Sequence, residues 1–316
     1  DSIIDNSNLE NRFVFEDIVY SSYVTYARAY GVWSVQAGLR SEQVETESSL
    51  RLPSDTTYTT EYFEFYPSFH INYKMDESSS IMASYSRRVN RPRFNALNPF
   101  PKYSDPYNLR MGNPFLRPEF VNSYEIGYQK FIKGSTFSSS IYAKDVHDMQ
   151  RRFVVVDSSN VTTVTYKNLN GSFDIGLEFM WSKQVSKIFN FMISSNVFYS
   201  KMDASNVTTE FDESTFGMRS SFNFSWKKND HKVQASGWMR PGGNIGQGKM
   251  KTMFSTDLAY SRPIFSDNAK LTLRVSDVFN TQRFGIDTYG RNFDQSFMYN
   301  RLSRFITVNI SYIFGD

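Results

Sequence analysis

Phe305-Ile306-Thr307-Val308-Asn309-Ile310-Ser311-Tyr312-Ile313-Phe314 is the stretch on which the fold turns. Ile306, Val308, Ile310, Tyr312 and Phe314 fall on one side of an extended chain, with Thr307, Asn309 and Ser311 on the other, because successive side chains of a strand point to opposite faces. The pattern recurs upstream. Leu271, Leu273 and Val275 alternate with Lys270, Thr272, Arg274 and Ser276. Phe173, Ile175, Leu177, Phe179 and Trp181 alternate with Asp174, Gly176, Glu178 and Ser182, and Phe216, Met218, Phe222, Phe224 and Trp226 with Arg219, Ser221, Asn223 and Ser225. These runs last about ten to fifteen residues, whereas strands of soluble sandwiches average about five or six. A tilted strand needs the greater length to cross a bilayer, so length favours an all-β, transmembrane antiparallel β-barrel over a soluble fold.

Composition agrees. The chain has 316 residues, 29 of them Phe and 20 Tyr, so aromatics reach 17%. Mean hydropathy is only −0.47, and no stretch approaches the roughly eighteen apolar residues of a membrane helix. A barrel reconciles the two figures, because a lipid-facing and a lumen-facing residue cancel in any averaging window. The absence of cysteine excludes disulfides and thiolate metal sites. A net charge of +3 is too small to argue for nucleic acid as a partner.

The connections fall into two sets. Tyr30-Gly31, Asp76 to Ser79, Lys133-Gly134-Ser135, Gln184 to Ser186, Lys228-Asn229-Asp230 and Ser266-Asp267-Asn268 read as tight polar turns. Ser48 to Thr60, Asn90 to Phe120, Asp157 to Asn170, Asp203 to Glu213, Pro241 to Lys249 and Thr281 to Tyr299 read as long loops. Outer-membrane barrels have short periplasmic turns and long extracellular loops, so the expected location is the bacterial outer membrane, with the C-terminus periplasmic. Trp33, Trp181, Trp226 and Trp238 fall near strand ends, where an aromatic girdle is expected. About thirteen strands are counted, from Phe13 to Phe314; since single-chain barrels usually have an even number, further strands before Asp1 are expected.

Residues 85–128 carry a signature: Tyr85-Ser86-Arg87-Arg88-Val89-Asn90-Arg91-Pro92, Leu97-Asn98-Pro99-Phe100, Gly112-Asn113-Pro114-Phe115-Leu116-Arg117-Pro118-Glu119 and Tyr124-Glu125-Ile126-Gly127-Tyr128. Ala37-Gly38-Leu39-Arg40 and Phe65-Tyr66-Pro67-Ser68 before this block, and Val275-Ser276-Asp277-Val278-Phe279-Asn280 ahead of the last strand, fit in order along the chain. The chain resembles the barrel of TonB-dependent receptors, in particular the outer-membrane β-barrel receptor family common in Bacteroidetes. The resemblance implies that residues 1–316 are one barrel segment, the C-terminal part of a barrel of about 22 strands whose lumen holds an N-terminal plug. Neither the plug nor a TonB box is in this sequence. It also implies insertion by the barrel-assembly machinery, with Ile310, Tyr312 and Phe314 as recognition stripe, although Gly315-Asp316 follow the terminal aromatic.

The most suggestive local feature is the basic cluster Arg87, Arg88, Arg91 and Arg93, with Arg110 and Arg117 further on. Guanidinium forks hold carboxylate or phosphate groups bidentately, so these residues at a barrel mouth would suit an anionic ligand. The competing reading has them pair with lumen carboxylates such as Glu119 and Glu125, pin the long loop, or meet lipopolysaccharide. Tyr103 and Tyr107, with Phe94, Phe100, Phe115 and Phe120, would stack on a sugar or aromatic ligand or give the loop a small core of its own. Tyr289, Phe293, Phe297 and Tyr299 offer the same choice. The three histidines, His70, His147 and His231, are scattered, and no serine sits in a nucleophile-elbow pattern. No enzyme, cofactor or metal site is expected, beyond an acidic loop at Asp203, Asp212 and Glu213 that would suit calcium. Pro241 to Gly248 is Gly-rich but lies between strands, and reads as a flexible loop.

The function expected is TonB-dependent uptake of a nutrient across the outer membrane, with the TonB system reached through an N-terminal region outside this chain. A surface lipoprotein or other outer-membrane subunits are further candidate partners. The alternatives are a non-transporting structural or interaction barrel in an outer-membrane complex, and a passive channel of about fourteen strands.

Overall fold

The computed structural model describes residues 11–52, 55–207, 214–245, 247–265, 268–290 and 293–314. Thirteen strands form one continuous antiparallel path. It starts with β1 (Arg12–Tyr30), β2 (Trp33–Leu52), β3 (Thr56–Lys74) and β4 (Ser79–Asn90). A folded connection follows, made of α1 (Phe94–Leu97), β5 (Lys102–Asp105) and β6 (Asn108–Arg110). The path resumes with β7 (Glu119–Ile132), β8 (Ser135–Val156), β9 (Thr162–Gln184), β10 (Phe189–Asp203), β11 (Ser214–Lys228) and β12 (His231–Arg240). After β13 (Gly243–Asn244) and β14 (Lys249–Met250) it continues through β15 (Met253–Ile264) and β16 (Ala269–Ser276). The hairpin β17 (Arg283–Gly290) and β18 (Phe293–Asn300) precedes the last strand, β19 (Phe305–Tyr312). Among the described residues β1 pairs only with β2, and β19 only with β16.

Register turns the period-2 pattern into two continuous bands. Ala83, Ile126, Ile141, Leu177, Val197 and Met218 lie opposite one another across six strands. One residue along, Met82, Gly127, Ser140, Glu178, Asn196 and Arg219 form the matching row on the other face. The apolar band is the exposed one: Ile126 is 64% accessible, Ile141 59% and Phe216 70%. A water-soluble fold would bury such residues; here lipid is their solvent. The buried apolar clusters are small and sit at the long-loop end. Val146, Met149, Leu169, Met202 and Ala204 form one, and Ala96, Leu97 and Leu116 the other.

The short turns fall where the sequence puts them. Residues 31–32, 75–78, 133–134, 185–188 and 229–230 each join neighbouring strands; Ser266 and Asp267 of the sixth lie outside the described residues. At 75–78, Asp76 accepts from the backbone N–H of Ser78 (2.6 Å) and the hydroxyls of Ser78 (2.7 Å) and Ser79 (2.6 Å). The Ser79 hydroxyl and then the Ser78 donors hold the Asp76 carboxyl well below the usual range.

Several expected loops are corrected. Ser48 to Thr60 is strand over most of its length, with Leu50 paired to Thr56. Asp157 to Asn170 is largely the start of β9, and only residues 157–161 turn. Beyond the membrane both faces of a hairpin meet water, so the strands run on without alternation. The Gly-rich segment is not a free loop: β13 and β14 join β17 and β18 in a second, four-stranded sheet. Gln247 also clasps β8, donating to the Val154 carbonyl (2.7 Å) and accepting from its N–H (2.7 Å). Trp33, Trp181 and Trp226 cluster at the short-turn end, but Trp238 stands opposite Ser221 and lines the polar concavity instead. Asp212 and Glu213 lie outside the described residues.

Candidate ligand face and arginine cluster

The concave polar face encloses a cavity of about 1030 Å³ lined by Glu125, Glu178, Asn196, Arg219, Trp238 and Arg240, among others. Its side chains are cross-linked. Tyr142 donates its hydroxyl to Asn196 Oδ1 (3.1 Å), and Asn196 donates its amide to Glu178. The Lys144 ammonium lies 4.8 Å over the Tyr142 ring, and the Arg219 guanidinium 5.5 Å over Phe198. Gly176 makes room for Tyr142, since a Cβ there would stand 2.5 Å from the ring. Charges of both signs and amide donors make this face strongly polar. His70 faces the same side, beside Gln36 and Ser84.

The arginine cluster divides. β3 and β4 are joined by backbone pairing only from Lys74–Ser80 up to Ser68–Ser86, although both strands continue further. Above that point side chains close the seam. Arg87 bridges to Glu64 (3.0 Å) and lies 5.0 Å over the Phe120 ring. Arg91 donates to Glu42 Oε2 (2.6 Å) and to the Tyr62 hydroxyl (3.0 Å). Arg40 also pairs with Glu42, whose side chain is only 3% exposed. The partners expected from sequence are thus corrected from Glu119 and Glu125 to Glu64 and Glu42. Glu119 instead accepts from Asn90 (2.8 Å) and the Gln150 N–H (3.0 Å). Arg88 lines a second concave cavity with Ser86, Ser123 and Lys144. Arg117 pairs with Asp148 (2.5 Å), which leaves His147 to Asp145 (3.0 Å) rather than to its neighbour in sequence.

Residues 91–118 form a strap across the long-loop end. Its two Asn-Pro-Phe triplets build the same turn: Asn98 Oδ1 accepts from the Phe100 N–H (2.9 Å) and Asn113 Oδ1 from the Phe115 N–H (3.0 Å). The triplets meet through Gly112 N–H to the Asn98 carbonyl (2.8 Å) and Asn113 N–H to the Ala96 carbonyl (2.7 Å). No side chain fits at Gly112, where a Cβ would lie 2.5 Å from the Asn98 carbonyl oxygen. On one side Phe94 packs on Phe13 and Phe15, and Phe115 on Tyr58. On the other β6 pairs in parallel with β9. The strap therefore ties β1 and β3 to β9. Phe100 is buried inside it, while Tyr103 (58%) and Tyr107 (63%) are exposed at its tip, near the exposed Arg110. Arg93 is exposed beside α1. In the last loop Phe297 and Tyr299 share one exposed face of β18, apart from this group.

Sequence reasoning missed Glu42, Glu64 and Tyr62, which look like ordinary members of alternating strands. It also missed Asp277, completely buried, whose carboxylate accepts from Ser303 (2.5 Å), Thr281 N–H (3.0 Å) and Gln282 N–H (3.1 Å). The signal was there in Val275-Ser276-Asp277-Val278-Phe279-Asn280: an acidic residue directly after a strand, followed by a turn.

The family model described as "Outer membrane protein beta-barrel family" matches residues 1–312. No curated protein matches the sequence. Solved structures are similar in fold. The copper transporter OprC gives a TM-score of 0.69 at 12% identity, over 95% of this chain and 48% of that one. The siderophore receptor PiuA from Acinetobacter baumannii gives 0.66 at 15% identity, over 94% and 44%. The FrpB iron transporter from Neisseria meningitidis (F3-3 variant) gives 0.64 at 13%, over 94% and 45%. The chain spans about half the length of these structures.

Proposed function

Since the chain belongs to the outer membrane protein beta-barrel family, and so to the bacterial outer membrane, we propose that it forms one side of the wall of a TonB-dependent uptake receptor. The observation that carries this reading is the concave face: a mixed-charge, amide-rich surface runs along the strands, and the strap partly closes its long-loop end. The likeness in fold to a copper transporter, an iron transporter and a siderophore receptor supports the same reading. The single-neighbour edges of β1 and β19 fit a larger barrel, of about 22 strands, closed by strands outside this chain. On this reading residues 1–316 act as one domain, the long loops face the exterior, and a plug and TonB box belong to a preceding region. A source in the Bacteroidetes, insertion by the barrel-assembly machinery and a surface lipoprotein partner belong to the same proposal.

Within the mouth, Arg88, Arg93, Arg110, Tyr103 and Tyr107 are the proposed ligand contacts, for an anionic or ring-bearing nutrient. Arg87, Arg91 and Arg117 serve as its scaffold, since their charges are already matched. No catalytic role is proposed. The test is growth of a deletion strain on limiting iron, copper or glycan sources. Loss of growth on one of them, restored by the intact gene and not by a variant unable to engage TonB, supports uptake. Normal growth on all, with stable co-purification of a large complex, overturns it in favour of a scaffold.

A further inference from the structure

The outward face of the wall repeats a motif at its short-turn end. Six strands descend into short turns: β1, β3, β7, β9, β11 and β15. Five of them carry an aromatic residue and, two residues later, a cation: Tyr26 and Arg28, Tyr128 and Lys130, Trp181 and Lys183, Trp226 and Lys228, Tyr260 and Arg262. The exception is β3, where Met75 follows Tyr73 at that spacing. Register fixes which way these residues point. Arg28 stands opposite Val35, Lys130 opposite Phe137, Lys183 opposite Phe191 and Arg262 opposite Leu271, all members of the apolar band. Each cation lies within the last three residues of its strand, and all but Lys130 are exposed. The ring therefore sits one pleat nearer the bilayer centre, and the long basic stem carries its charge out to the headgroups.

None of the five cations forms an ion pair with a described residue. No described carboxylate stands on the outward side of these strand ends either. Asp76, Glu77 and Asp230 lie in the turns, and Asp76 is already held by the Ser78 and Ser79 hydroxyls. A margin of one sign discriminates between lipids. The phosphate of any phospholipid can accept from a guanidinium or ammonium group. A zwitterionic headgroup also brings an ammonium, for which this margin offers no carboxylate. A headgroup of net negative charge brings no such mismatch, and clustered basic residues at a membrane surface favour it.

We infer that this row binds anionic glycerophospholipid, phosphatidylglycerol in particular, in the leaflet at the short-turn end, through Arg28, Lys130, Lys183, Lys228 and Arg262. The inference rests on the membrane-barrel reading but not on uptake, so a failed growth test leaves it standing. Trp181 and Trp226 stand beside Lys183 and Lys228 and report the contact by their fluorescence. The intact protein is placed in bilayers of phosphatidylethanolamine and phosphatidylglycerol, with one lipid at a time brominated in its acyl chains. Brominated phosphatidylglycerol should quench as though enriched about fivefold over its bulk share, and high salt should shrink that preference by screening. A K130Q/K183Q/K228Q variant, checked for folding by heat-modifiable gel migration, should bring the two lipids level. A W181F/W226F variant should lose the selective part of the quenching. Equal quenching by the two lipids in the unsubstituted protein overturns the proposal, whether or not the variants fold. So does a preference that survives the triple substitution, or one for lipopolysaccharide over phosphatidylglycerol at the same tryptophans. Loss of the preference to inorganic phosphate at an ionic strength where chloride has no effect would mark a free-anion site and overturn it too.

Discussion

Asp277 and Ser303 lie 26 residues apart in the chain, yet the serine hydroxyl donates to the aspartate across 2.5 Å. Between them runs the whole β17–β18 hairpin, so this contact closes the base of the last long loop. The carboxylate also caps the turn after β16 through the Thr281 and Gln282 N–H groups. Asp277→Ala would orphan these donors at a fully buried site, at about 1–3 kcal/mol for each group left unsatisfied. Limited proteolysis should then cut within 277–304, with the strand core intact; an unchanged digestion pattern would contradict the role.

The same residue sets a pH limit. Burial acts to raise its pKa, but the Ser303 hydroxyl and the two N–H donors outweigh that and hold it below the usual carboxylate range. A depressed pKa means the stabilisation is full above the unfolded value, near 4, and is lost as pH falls through the folded one. Protease resistance of this loop should stay flat from pH 7 to about pH 5 and fall only below about pH 4. Asp277→Asn should remove that acid step.

The seam between β3 and β4 makes a second target. Arg91→Ala leaves the nearly buried Glu42 with Arg40 alone, and removing one member of a buried pair costs up to about 3–5 kcal/mol, less here because Arg91 is part-exposed. Glu42→Gln should be milder, since it removes the charge but keeps hydrogen-bonding capacity. Urea unfolding from lipid vesicles would rank the two; the reverse order would sink this account of the cluster.

Facing is tested by paired substitutions. Ile141→Arg, on the apolar band, should cost about 2–4 kcal/mol, while Ser138→Arg, lining the cavity, should cost far less. Equal losses in the same unfolding assay would mean the two bands are misassigned.

Gln247 offers a local probe. Gln247→Leu leaves the Val154 N–H and carbonyl without their clasp. Hydrogen exchange at Val154 should accelerate by about tenfold or more, the equivalent of about 1.4 kcal/mol, while Val197 in the apolar band stays unchanged.

How far the sequence could be read follows the membrane. Where one face meets lipid and the other a polar interior, alternation is enforced, so the strand count and the two bands were legible from residues such as Ile175 and Glu178. Outside the bilayer that constraint disappears. Ser48 to Thr60, with Ser and Thr on both faces, therefore looked like loop although its strands pair to Leu50 and Thr56. The arginines were legible as a cluster but not as Arg91–Glu42 and Arg87–Glu64, because nothing in one strand reveals where its ladder with the next one stops. The repeated Asn-Pro-Phe triplet was visible; its meeting at Gly112 was not.

Ending the β3–β4 ladder at Ser68 and Ser86 gives the wall two kinds of mechanical joint. Below that level, neighbouring strands are laced by backbone bonds that dissolved ions scarcely touch. Above it, the sheet is two panels sharing a hinge line, fastened by a handful of guanidinium studs. The strap spans that hinge line from β1 and β3 to β9, and because the guanidinium pairs are part-buried, dissolved salt should loosen them little.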